Sequence, residues 1–74
     1  MQLGTRWSVG ERPPTLPDAV GIAIRGVEDE LVGVDTTGWR WTLTWLEGRP
    51  VVELDDGTTI RVASDGGVSV HEPT

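Results

Sequence analysis

Glu53, Asp55, Arg61 and His71 are residue types that move protons, and they recur close together in the last third of the chain. Two carboxylates beside an imidazole would supply a general acid and a general base, with the guanidinium to hold an anion. On strands of period two, all four fall on one face, and that face turns to water. Acid/base work needs a concave, partly dry site that shifts proton affinities and orients a substrate. An open sheet face offers neither, so no catalytic residue is assigned and no enzymatic activity is expected.

Asp55-Asp56-Gly57 and Asp65-Gly66-Gly67 gather oxygen ligands of the kind calcium takes. Calcium needs six to eight oxygens, usually from a loop with acids at alternate positions, and neither stretch supplies them. Hairpin turns explain both. One histidine and no cysteine leave no zinc set either. No metal or cofactor is expected.

Trp39, Trp41 and Trp45 alternate with Arg40, Thr42 and Thr44 through Leu46, which is a strand period with the indoles on one face beside Leu43. Indoles at strand spacing can stack on sugar rings, bases or proline. Their alignment with other apolar residues instead makes them the core of the domain. Trp39, at the strand's end, and Trp7 are the two with the best prospect of an exposed face for stacking a small ligand or carbohydrate. Arg12-Pro13-Pro14-Thr15-Leu16-Pro17 contains the PxxP spacing that polyproline readers accept. A rigid lead-in to a helix explains the same residues.

The elements that must position these groups follow from periodicity. Leu3, Thr5, Trp7 and Val9 alternate with Gly4, Arg6 and Ser8, predicting a short strand over 3–9 with Trp7 inward. Thr15 as N-cap, with Asp18 in the capping-box position, predicts a helix from about Pro17 to Val32. Val20, Ala23, Ile24, Val27 and Leu31 form its buried stripe, and Gly33 stops it. Ile22 falls about 200° around the wheel from Val20, among polar residues, and Gly21 and Gly26 leave room there for a second backbone. Ile22, with Val32 and Val51, is the candidate partner contact, whether the N-terminal segment or another chain covers it.

After a turn at Asp35-Thr36-Thr37-Gly38 the strands can be registered. A tip at Glu47-Gly48 sets Trp45 opposite Pro50, Leu43 opposite Val52 and Trp41 opposite Leu54, so the apolar sets agree. A three-residue loop Asp55-Asp56-Gly57 brings Ile60 to Val52, whereas a two-residue loop would set it against Glu53. The same reasoning at Asp65-Gly66-Gly67 sets Val70 opposite Val62. The expected fold class is α+β: one helix packed on an antiparallel β-meander of strands 39–46, 50–54, 58–63 and 68–71, with the N-terminal strand extending the sheet or lying on the helix (β-α-β-β-β-β). The far face carries Arg40, Thr42, Thr44, Val51, Glu53, Thr59, Arg61, Ser69 and His71, and residues 72–74 fray.

The 74 residues make one domain, and a chain of this size buries only about 60–65% of its unfolded surface. Twelve acids against six arginines give a net charge of −6 without runs of either sign, which argues against nucleic acid as a partner. No stretch is long and apolar enough to span a membrane, and the first residues lack the apolar core of a secretion signal, so the expected location is the cytoplasm. A single helix on a meander hosts many functions and selects none. By elimination, the sequence points to a non-catalytic protein-interaction or regulatory module, with a homodimer compatible with the same contacts.

Overall fold

A computed structural model describes residues 5–11 and 13–73. The chain runs β1 (Thr5–Ser8), α1 (Asp18–Glu30), β2 (Arg40–Leu46), β3 (Arg49–Leu54), β4 (Thr59–Val62) and β5 (Val68–His71). All strands join one antiparallel sheet in the order β1-β2-β3-β4-β5, so the N-terminal strand extends the meander. Leu3 and Gly4, expected to begin it, lie outside the described residues.

The β2–β3 ladder has the expected register: Trp41 faces Leu54, Leu43 faces Val52 and Trp45 faces Pro50. Glu47 and Gly48 turn the hairpin with φ of 54° and 78°, the doubly positive pair that matches strand twist. Ile60 faces Val52 as the apolar pattern requires.

The last hairpin differs from expectation. Val62 faces Val68, and Val70 faces Ile60 rather than Val62. A slip of two residues keeps every side chain on its face, so the apolar pattern does not distinguish the two registers. Turn chemistry does. Gly57 N–H donates to Leu54 O and Leu54 N–H to Thr58 O, while Asp56 accepts Thr58 N–H. The second turn repeats this with Gly66 to Ala63, Ala63 to Gly67, and Asp65 accepting Gly67 N–H. The loop is therefore Ser64-Asp65-Gly66, with Gly66 at φ 90° as Gly57 is at 104°.

The helix also begins later than its expected cap. Pro17 is the N-cap, with ψ 144° and no side-chain cap bond, and its carbonyl accepts Val20 N–H and Gly21 N–H. A proline keeps the residue before it out of the helical region, so Leu16 stays extended and Thr15 cannot cap. Asp18 instead places its charge in the first turn, where the helix dipole favours it. At the other end Leu31 is the C-cap and Gly33 takes φ 90°, so Val32 lies in the turn beyond the helix.

The helix covers the inner face of the sheet, closest to β4 and β5. Val20, Ile24 and Val27 meet Trp7, Trp41, Leu43, Val52, Leu54 and Ile60 in one core. Trp41 is 0% exposed, and Trp7 stacks on it with ring centroids 6.5 Å apart. The Trp41 indole N–H donates to Glu28 at 3.0 Å; among the described residues the buried Trp7 N–H has no partner. Glu72 and Pro73, expected to fray, run beside the β3–β4 turn, where a Cβ on Gly57 would sit 3.1 Å from that of Pro73.

Candidate protein-interaction surface

Strand alternation decides which side chains meet on the outer face of the sheet. One row crosses all five strands as Arg6, Thr42, Glu53, Thr59 and His71. The next holds Thr44, Val51, Arg61 and Ser69. Leu46 and Arg49 pair at one end, and Ser8 and Arg40 at the other.

The proton-moving residues are not brought into a group. Glu53 and His71 are separated by Thr59, two strand spacings or about 9.5 Å. Asp55 is occupied otherwise: one oxygen accepts Arg40 N–H at 3.0 Å, the other faces Arg6 at 3.5 Å, and its own N–H donates to Arg40 O. It ties the end of β3 to β2 and β1. Asp56 and Asp65 spend their carboxylates on turn N–H groups, and among the described residues no three potential ligands gather as a metal site.

Trp7 offers no ring face to a ligand, because it is 7% exposed and pressed against Trp41. The inward strand period of β1, closed by the helix, puts it in the core. Trp39 is half-buried against the same cluster. The exposed indole is Trp45, at 40%, where β2 runs past the region closed by the helix.

Of the three candidate contact residues, Ile22 and Val32 are 72% and 83% exposed. Ile22 lines an open groove of about 700 Å³ between the helix and the segment that includes Pro13, Pro14 and Pro17. The proline stretch thus runs beside Ile22 without covering it. Arg12 lies outside the described residues. Val51 is on the outer face of the sheet, half-buried between Thr44 and Arg61, and shares no surface with the other two.

What the fold does bring together is charge. Four of the six arginines, Arg6, Arg40, Arg49 and Arg61, stand on the outer face, with Glu53 in its middle and Asp55 at its rim. The other ten acids and Arg25 belong to the helix, the turns, the connections and the segment after β5. A chain of net charge −6 therefore presents one locally basic face. At its lower end Arg49 and Arg61 flank Val51, beside Leu46, which is exposed. Arg49 reaches Glu47 at 3.3 Å, a surface pair of the kind that contributes little. Arg40 and Arg61 are legible as outward residues from the strand period, and Arg49 from the Glu47-Gly48 tip that pairs it with Leu46; Arg6 needs the β1–β2 pairing.

No helix among the described residues is long and apolar enough to cross a membrane. Compared with family models, curated proteins and solved structures, the chain matches none.

Proposed function

We propose that this is a non-catalytic, cytoplasmic protein-interaction module that docks an acidic partner protein on its outer sheet face. The observation that carries the reading is the concentration of Arg6, Arg40, Arg49 and Arg61 on one face of an otherwise acidic molecule. Arginine is enriched at protein interfaces, and its planar fork binds carboxylates in pairs. Leu46 and Val51 supply an apolar centre for such a contact, and threonine hydroxyls around them supply adaptable hydrogen bonds. The acidic remainder of the molecule repels a polyanion as long as nucleic acid and leaves a compact acidic surface as the better match.

The test is affinity capture from native lysate with the wild-type chain and an R49E/R61E double variant, read by quantitative mass spectrometry. A protein retained by the wild type, released as salt is raised, and reduced about tenfold or more by the variant supports the reading. An identical set of proteins on both baits overturns it. So does tight binding of a fluorescent single-stranded oligonucleotide to the wild type.

A further inference from the structure

We propose a second binding site, distinct from the arginine face: the free edge of β5, together with the groove between that edge and α1, accepts an extended segment of a partner protein carrying alternating apolar and basic residues. Among the described residues β5 ends the sheet and pairs with β4 alone. In an antiparallel ladder, hydrogen-bonded and non-bonded pairs alternate. The Ala63 N–H to Gly67 O bond fixes the phase, so Ser69 and His71 turn their backbone groups to β4 while Val68 and Val70 turn theirs outward. Those outward groups are a template for a sixth strand.

The side chains lead to the same place. Val70 points to the inner face as the partner of the fully buried Ile60, yet it is 45% exposed. Beside it lies an open groove of about 650 Å³, walled by Ala23, Gly26 and Val27 of the helix. Gly26 contributes no side chain, and a Cβ built there meets nothing within 4 Å. Val70 therefore offers an unpaired backbone and an apolar side chain beneath an overhanging helix. A strand added about 4.8 Å from β5 would place every second side chain in that groove.

Charge selects the occupant. Glu30 and Glu72 line the groove beside His71, and Asp56 lines the hollow past Val27, with no arginine among the described lining residues. A second copy pairing edge to edge about a twofold axis would bring Glu30 and Glu72 of both chains together, so an extended basic segment fits and a homodimer does not.

The probe is a synthetic peptide, Arg-Val-Lys-Val-Arg-Val, with one control carrying glutamate for its basic residues and another carrying proline for its central valine. Titration into the ¹⁵N-labelled full chain is expected to shift amides of 68–72 and of the helix face from Ala23 to Glu30, and to slow exchange of the Val68 and Val70 amides. Neither control should do so. Gly26→Leu fills the groove without removing any contact and should raise Tm while weakening the peptide about tenfold; Glu30→Lys with Glu72→Lys should weaken it comparably. The proposal is overturned if the proline peptide binds as well, if Gly26→Leu binds undiminished, if the shifts fall on other surfaces, or if sedimentation shows the free chain dimeric with Val68 and Val70 already protected.

Discussion

The Glu28 carboxylate accepts the indole N–H of Trp41 at 3.0 Å, and the same oxygen accepts the backbone N–H of Gly10 at 3.0 Å. One side chain thus ties the helix to the centre of the core and to the turn after β1. Glu28→Leu leaves the Trp41 N–H without an acceptor and should cost about 2 kcal/mol; Glu28→Gln keeps an acceptor and should cost about 1 kcal/mol. Urea unfolding followed by tryptophan fluorescence measures both, and a Glu28→Leu midpoint equal to wild type would refute the tie.

Two exposed carboxylates should contribute to the acid side of the stability profile. Backbone and side-chain hydrogen bonds from Ser8 hold Glu11 below its ordinary value, and the Thr37 side chain, then its backbone N–H, do the same for Asp35. A carboxylate depressed in the folded state contributes stability above its unfolded pKa, and that stability is lost as pH falls through the folded value. Urea midpoints should therefore fall between about pH 5 and pH 2, and the fall should be smaller in a Glu11→Gln, Asp35→Asn variant. An unchanged acid slope would mean that these bonds do not persist in solution.

Glycines in different backbone states should respond with opposite signs. Gly26, in the helix with open space around it, should tolerate alanine with a gain of up to about 1 kcal/mol. Gly66, at φ 90°, should lose about 1 kcal/mol on the same change, because a Cβ is strained there. Thermal melts of the two variants decide it, and a shift of the same sign in both contradicts the assignment.

Neighbouring isoleucines on one helix give the sharpest contrast. Ile24 is in the core and Ile22 is exposed. Ile24→Ala should cost about 2–5 kcal/mol, enough to unfold much of a domain this small. Ile22→Ala should stay within about 0.5 kcal/mol. A large loss at Ile22 would show that something packs over it.

Periodicity made most of this fold legible. The tryptophan strand carried its own face assignment, the apolar positions of β3 and β4 could meet it in only one parity, and the turns at Glu47-Gly48 and Asp55-Asp56-Gly57 then fixed Trp41 opposite Leu54 and Val52 opposite Ile60. Parity alone failed at the last hairpin, where two registers share it. The recurrence of Asp-Gly at equivalent points of both turns was the signal that separates them. The helix start near Pro17 follows from the sequence, but its cap does not: Thr15 has the favourable side chain, whereas Pro17 keeps Leu16 out of the helical region and is itself the N-cap. Candidate site residues were harder, since a surface is made by strands adjoining in space. Arg49 joins Arg61 through the Glu47-Gly48 tip that the apolar register already requires, whereas Arg6 joins Arg40 only once β1 is seen beside β2.

The order of the strands has a kinetic consequence. From β2 to β5 each strand neighbours the next in sequence, so these ladders close over tight turns at little entropic expense, whereas β1 reaches β2 only across the helix and both its connections. Local closure is fast and distant closure slow, so residues 40–71 are expected to form the nucleus and Trp7 to dock late. Shortening Val52 or Ile60 should then retard refolding, while shortening Trp7 should chiefly hasten unfolding, making the first strand the latch on the lifetime of the native state.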